Sequence, residues 1–164
     1  MPASTINTAR VTDRRVLRFD SIEDALRDAA QLTHAQRQGK ARCLGNWTHG
    51  QILGHLATWV DYAYDGAPLN PPVILRLIIR PMKRQLPHKP MRAGGKLPGV
   101  PGGTIAFDPV SFDEGLAHFQ KSFTRLQSDP PTAKHPIFGH MTHDEWKNMN
   151  LRHAELHLSY IRTG

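Results

Sequence analysis

Apolar residues recur every three or four positions in four separate segments of the chain, and each segment follows the same local signal. The signal is a Ser or Thr with an acid or a glutamine three residues later, which is the pattern of a capping box at a helix start. It begins at Ser21, Thr48, Ser111 and Thr142. Each match stands directly before a periodic segment, so the sequence predicts four helices. Their expected ranges are 21–38, 48–65, 111–128 and 142–162.

The periodic segments also indicate the fold class. No segment shows a convincing alternation of β-branched residues, so no strand is predicted. Amphipathic helices without a sheet bury their apolar stripes against one another, and we expect an all-α fold, an antiparallel four-helix bundle. A length of 164 residues suits a single domain over 1–164, with an N-terminal arm over residues 1–20.

Residues 67–110, between the second and third helices, have a different composition. They hold nine of the 13 prolines, seven of the 21 Lys and Arg residues, and one acid, so their net charge is +6 in a chain of net charge +7. We therefore expect a long, basic, Pro/Gly-rich crossover, with a short helix over residues 73–80 that covers one end of the bundle. Connections of this length are often functional. Most of the excess positive charge therefore lies outside the four predicted helices, which argues against a helix face that binds nucleic acid.

Further features narrow the class of protein. No apolar run approaches the roughly 18 residues of a membrane span, and no signal peptide is recognised. Cys43 is the single cysteine, which excludes a disulfide framework and fits a reducing compartment. We expect a cytoplasmic protein without a membrane or nucleic-acid partner, and a homodimer remains an open alternative.

The sharpest chemical feature is the pair His153 and His157 on the apolar stripe of the last helix. Residues four apart lie one above the other on a helix, so both imidazoles can reach one ion. Buried imidazoles without partners cost free energy, and metal binding is one explanation for them. The alternative explanation is that the two histidines form ordinary buried hydrogen bonds, or that the stripe is partly exposed. Glu155 lies about 200° around the helix from His153, so the pair does not match the metalloprotease helix motif, in which the glutamate directly follows the first histidine. We expect Glu155 to face solvent or to contact a ligand residue without binding the metal itself.

A third imidazole is needed for a tri-histidine site, and His55 is the best candidate. It lies at the edge of the apolar stripe of the second helix. A single histidine in such a place is more often structural, so the spacing leaves both readings open.

Two segments resemble a known family. Residues 46–57 resemble the second helix of the DinB/YfiT-like superfamily of metal-dependent four-helix-bundle proteins. Residues 135–139, Trp146, His153 and His157 resemble the fourth helix and its approach in an uncharacterised branch of that superfamily.

The resemblance implies that His55, His153 and His157 bind a divalent metal such as zinc, nickel or iron. It also implies a metal-dependent thiol S-transferase, or a related small-molecule enzyme, in which a metal-activated thiolate or water is the nucleophile and a low-molecular-weight thiol is a cosubstrate. Related sequences often carry a further His or Gln near the second ligand of the last helix, where this chain has Leu, Ser and Tyr at 158–160.

Two alternatives stay open. The histidines could be structural or sequester a metal in a non-catalytic bundle, or the chain could be an anionic-ligand-binding module. We expect a small, anionic substrate and assign its binding to Arg76, Arg80 and Arg84 of the basic crossover, with a solvated basic loop as the alternative. Cys43 has no recognisable base beside it and is not expected to be the nucleophile.

Overall fold

The computed structural model describes residues 5–85, 88–95 and 109–164, and within them the protein is mostly helical. The remaining parts of the predicted arm and crossover, residues 1–4, 86–87 and 96–108, lie outside the described residues. The helices are α1 (Ile22–Arg37), α2 (His49–Asp65), α3 (Val73–Ile79), α4 (Phe112–Ser128) and α5 (His143–Leu158). The strands are β1 (Ala41–Cys43) and β2 (Ile161–Thr163). Two 3₁₀ turns cover Thr8–Arg10 and Arg80–Arg84.

All four long helices begin with the capping box that the sequence predicts. The hydroxyls of Ser21, Thr48, Ser111 and Thr142 accept the N–H three residues on, and the side chains at those third positions accept the N–H of the cap. Each box satisfies backbone donors that a helix start otherwise leaves without partners. The four predicted helix starts are thus confirmed.

The end of the last helix differs from the prediction. Helix α5 ends at Leu158, not near residue 162, and β2 then pairs antiparallel with β1, with Cys43 opposite Ile161. The expectation of no strand is therefore wrong. Strands of three residues are too short to show alternation, and this pairing joins segments that are far apart in the chain. Ile161 gains burial from it, with 1% of its surface exposed.

The core lies where α2 packs against α4 and α5, and α1 packs against the same two helices. The side chains of Phe119, Phe123 and Val60 are fully buried there. The first turns of α2 and α4 meet through their backbones, because a Cβ on Gly115 would lie 2.4 Å from the carbonyl oxygen of Gly50. This close approach fixes the start of α2, which carries the first candidate ligand.

The short helix α3 confirms the expectation of a helix in the crossover, but most of it stays exposed. Val73, Ile74, Leu77 and Ile78 each keep 61–70% of their surface in solvent. Lys83, just after α3, forms an ion pair of 3.1 Å with Glu145 in the first turn of α5. No helix among the described residues is long and apolar enough to cross a membrane.

Candidate metal centre

Helices α2 and α5 bring three histidines together. His55 lies in the second turn of α2, and His153 and His157 lie one turn apart on α5. One ring nitrogen from each lies within 4.8 Å of the corresponding nitrogens of the other two. The closest pair is Nε2 of His55 and Nε2 of His153, at 3.1 Å. The structure therefore gathers the three predicted ligands, while metal binding by them stays a prediction.

The surroundings of these three residues, the histidine cluster, favour neutral imidazoles. His55 is 2% exposed, while His153 and His157 are half-buried because they face a cavity. Burial lowers the pKa of His55 to about 2 and that of His157 to about 4. It also holds the pKa of His153 well below its usual value, with further contributions from the other two rings. At neutral pH all three rings are uncharged, which is the form that binds metal.

The donor set fits a divalent ion that prefers nitrogen ligands. Two nitrogens at 2.0–2.1 Å from one tetrahedral zinc lie about 3.3 Å apart, close to the 3.1 Å between His55 and His153. Three imidazoles leave at least one coordination position for water or substrate. Zinc, nickel and iron all accept imidazole, so the donors do not select among them.

Two tryptophans hold the rings of the histidine cluster in place. The ring of Trp47 stacks on that of His157, with centroids 5.4 Å apart and planes 13° apart, and it lies 4.7 Å from the ring of His55. The ring of Trp59 packs edge-to-face against that of His153 at 5.6 Å. These contacts restrict the rotation of the three imidazole rings.

A cavity of about 1040 Å³ opens onto the histidine cluster. Its size suits a small organic molecule. Most of the wall is apolar or aromatic, including Trp47, Ile52, Trp59, Met91, Phe138 and Met149. The polar side chains of the wall include Asn46, Asn70, Arg92 and Asn150. The cavity therefore offers an apolar chamber with few polar contacts beside a candidate metal site.

The N-terminal arm supplies one side of this cavity. Residues 5–9 line it, and they are held by side chains from the rest of the protein. Asn46 exchanges two hydrogen bonds with the backbone of Ile6, at 2.8 and 2.9 Å, and the hydroxyl of Tyr160 donates to the carbonyl of Thr8 at 2.7 Å. The arm, which the sequence marks only as a leading segment, is part of the site.

The chain matches a known protein family over most of its length. The family model described as "Protein of unknown function (DUF1569)" matches residues 11–163. The chain belongs to this DUF1569 family. No curated protein and no solved structure matches it. The matched region contains all three members of the histidine cluster and the turn before α5, so site and family assignment cover the same part of the chain.

Arginines of this DUF1569 protein lie both on and off the cavity wall, and anion binding by Arg76, Arg80 and Arg84 stays a prediction. Arg76, Arg80 and Arg84 are not among the residues that line the cavity, and the guanidinium of Arg80 lies against Gly139 in the turn before α5. Arg92 lines the cavity instead. The structure does not bring the three predicted anion-binding arginines to the histidine cluster: Arg80 and Arg84 are exposed, and Arg76 is half-buried outside the described cavity wall.

Glu155 is buried, so of its two expected placements the solvent-facing one is wrong. Its carboxylate accepts the backbone N–H of Phe19 at 2.6 Å and forms an ion pair with Arg152 at 2.7 Å. Glu155 thereby joins the N-terminal arm to α5. None of its hydrogen bonds and ion pairs within the described residues involves the histidine cluster.

Cys43 lies in β1 and is not part of the cavity wall. Burial raises the pKa of its thiol to about 11, so it remains protonated at neutral pH. This agrees with the expectation that Cys43 is not a nucleophile.

Sequence reasoning missed His135, which also lines the cavity. It stands before a proline in a segment with no helical or strand periodicity, so no pattern marked it as part of a site. The signal that could have found it is its place in the stretch that carries the resemblance to the superfamily.

Proposed function

We propose that this DUF1569 protein is a divalent-metal-dependent enzyme in which His55, His153 and His157 hold the ion at the wall of the cavity. The observation that carries this proposal is the convergence of three neutral imidazoles on an apolar chamber large enough for an organic substrate. The helix starts, and the resemblance of residues 46–57 to a DinB-like second helix, support the further proposal that the four long helices form a DinB-like antiparallel bundle.

The donor set suits chemistry at an open coordination position. Three neutral ligands leave the charge of a divalent ion uncompensated, and such an ion lowers the pKa of a water or thiol that it binds. The protein's own residues position the ligands, with Trp47 and Trp59 against the rings. The mostly apolar wall lowers the local dielectric constant, which strengthens electrostatic interactions inside the cavity.

The resemblance to the DinB/YfiT-like superfamily supports a thiol S-transferase, and the site fits hydrolysis equally well. The described wall of the cavity contains no cysteine, and Cys43 is protonated and lies elsewhere, so we assign the role of nucleophile to a thiol or a water from solution. In this reaction a thiol loses its proton to solvent, its sulfur forms a bond to an electrophilic carbon of the substrate, and the leaving group departs with its bonding electrons. Hydrolysis follows the same course, with water as the nucleophile.

Metal content is the first test of this proposal. Elemental analysis of untagged wild-type protein is expected to give about one divalent metal per chain, and His55→Ala, His153→Ala and His157→Ala are each expected to lose it. His34→Ala is the matched control, because His34 is exposed and bonds to Gln38 within α1. Full metal content in the double variant of His153 and His157 would exclude the site.

Activity is the second test. The metal-loaded protein is assayed with glutathione or cysteine and the electrophile 1-chloro-2,4-dinitrobenzene, and turnover is expected to disappear in His153→Ala but not in His34→Ala. Metal binding without turnover of any thiol or electrophile tried would favour the non-catalytic, metal-sequestering alternative.

A further inference from the structure

The turn before α5 holds another histidine, His135, which is buried and in a fixed position. The N–H of His135 donates to the carbonyl of Gly139 at 2.8 Å, and the N–H of Gly139 donates back to the carbonyl of His135 at 2.9 Å. Gly139 has φ +71°, a left-handed conformation that glycine adopts without strain. The two hydrogen bonds close the turn and set the direction of the His135 side chain.

The ring of His135 is fixed from two sides. Its Nδ1 accepts the backbone N–H groups of Ile137 and Phe138, both at 3.1 Å. The ring stacks on Phe138, with centroids 4.8 Å apart, and lies 5.4 Å from the ring of Trp146. Only 8% of the residue is exposed. These contacts leave the ring little freedom to flip or rotate.

This arrangement determines which nitrogen carries the proton. A nitrogen that accepts two N–H groups has no proton of its own, so the neutral ring carries its hydrogen on Nε2. Burial lowers the pKa of His135 to about 4, and the ring is therefore neutral at physiological pH. Since the lone pair on Nδ1 is occupied, the residue offers a hydrogen-bond donor and no base.

The Nε2–H of His135 is the group left for a ligand. No residue in the described ranges accepts a hydrogen bond from it, while the ring itself lines the cavity beside the histidine cluster. Nε2 of His135 is not one of the buried side-chain atoms without a partner, so it is open to the cavity, where the acceptor of a bound molecule can take the place of water. Most of the surrounding wall is apolar, which makes a fixed donor there selective.

We propose that His135 binds the small molecule in this cavity by donating its Nε2–H to an acceptor oxygen, a carbonyl or a carboxylate, of that molecule. This inference rests on the proposed function in assigning the cavity a ligand, and it adds the class of ligand: an organic molecule with an apolar body and an acceptor oxygen. His135 acts as a binding and positioning residue, neither a metal ligand nor a proton acceptor. Arg92, which also lines the cavity, adds positive charge, which favours a carboxylate.

The tautomer can be tested without any ligand. Two-dimensional ¹⁵N NMR of the imidazole nitrogens is expected to show His135 with a protonated Nε2 and an unprotonated Nδ1 at pH 7. A proton on Nδ1, or a charged ring at pH 7, would overturn the proposal.

The donor is tested by a pair of variants that separate the two sides of the ring. In His135→Asn the side-chain oxygen takes the place of Nδ1 and retains the bonds to the backbone N–H groups of Ile137 and Phe138, but the Nε2–H is lost. In His135→Gln the amide reaches the Nε2 position and cannot accept from the turn in the same way. His135→Asn is therefore expected to keep the melting temperature, and His135→Gln to lower it.

Ligand binding is measured with two probes of similar size, by calorimetry on both metal-loaded and metal-free protein. Benzoate carries an acceptor group, while benzylammonium is a donor only. His135→Asn is expected to weaken benzoate binding about tenfold, to leave benzylammonium binding unchanged, and to leave metal content unchanged. Equal loss for both probes, no loss for benzoate, or no binding of benzoate to wild-type protein would each overturn the proposal. Failure of the metal proposal shows separately in the metal content, since the probe measurement is repeated without metal.

Discussion

The histidine cluster and the turn at residues 135–139 are two walls of one cavity that use buried imidazoles in opposite ways. In the cluster, the nitrogens of His55 and His153 point at each other, 3.1 Å apart. In the turn, one nitrogen of His135 is saturated by two backbone N–H groups. Burial lowers the pKa of all of these rings. The neighbours of each buried imidazole therefore decide its role. Imidazoles that face one another can bind a shared ion, while backbone N–H groups that bind Nδ1 leave His135 with a proton on Nε2 and make it a hydrogen-bond donor.

The two walls also differ in how they are built. The cluster stands on two long helices whose starts are capped and whose rings are packed by Trp47 and Trp59. The turn is a short segment closed by two backbone hydrogen bonds between His135 and Gly139. Two packed helices can hold three side chains at fixed distances from one another. A turn can fix a single side chain through hydrogen bonds with the backbone of the turn.

The largest expected effect is the loss of a ligand from the cluster. His153→Ala should lower metal affinity by more than about a hundredfold, because even indirect supports of metal ligands are worth 10–100-fold. His135→Asn, on the other wall, should change metal affinity by less than a factor of two. Competition with a chromogenic chelator measures both. Similar losses in the two variants would remove the distinction between the walls.

Acid should destabilise the metal-free protein in part through the turn, because His135 is one of several histidines whose pKa is lowered by burial. The folded pKa of His135 is about 4, below the ordinary 6.5 of an unfolded chain, so the unfolded state takes up the proton first. Its stabilising contribution is complete above pH 6.5 and is lost as the pH falls toward 4, with about 2 kcal/mol lost at pH 5. Urea unfolding at pH 7 and pH 5 measures this, and His135→Asn should show a smaller loss. An equal loss in the variant would assign the effect to other groups.

Metal binding by the cluster should resist mild acid. The pKa values of His55 and His157 are about 2 and about 4 in the metal-free protein, so protons compete little with metal at pH 6. We expect metal affinity to change by less than about threefold between pH 7.5 and 6, then to fall steeply below about pH 4. A peptide with the sequence of α5 serves as the control, because its exposed histidines protonate near 6.5 and should lose metal over that range. Parallel losses would show that burial does not protect the site.

Removal of one indole should have a moderate effect. Trp47→Leu keeps an apolar side chain but removes the ring stacked on His157, and we expect about a tenfold loss of metal affinity with little change in folding. Trp146→Leu, which alters the neighbour of His135 instead, should leave metal affinity within twofold. Unfolding of either variant is checked by circular dichroism.

The smallest expected effect concerns the basic residues. Arg92→Gln should weaken benzoate binding by about threefold, because Arg92 lines the cavity. The triple variant Arg76→Gln, Arg80→Gln and Arg84→Gln should have less effect, since these residues are not on the described wall. A larger effect of the triple variant would restore them as ligand-binding residues.

The sequence by itself determined the helix starts and the spacing of the α5 histidines. A capping box is a contact between residues three apart, and Ser21 or Thr142 needs no distant partner to form one. The i, i+4 spacing of His153 and His157 likewise places both rings on one helix face whatever surrounds them. Local geometry carries these features, so local sequence predicts them.

Only the tertiary structure decided the remaining features. The pairing of Cys43 with Ile161 and the burial of Glu155 against the N-terminal arm join parts of the chain that no local pattern connects. The place of Arg92 on the cavity wall and the fixed tautomer of His135 depend in the same way on which atoms end up beside them. Burial and hydrogen-bond partners set the charge and direction of a side chain, and the packed chain supplies both.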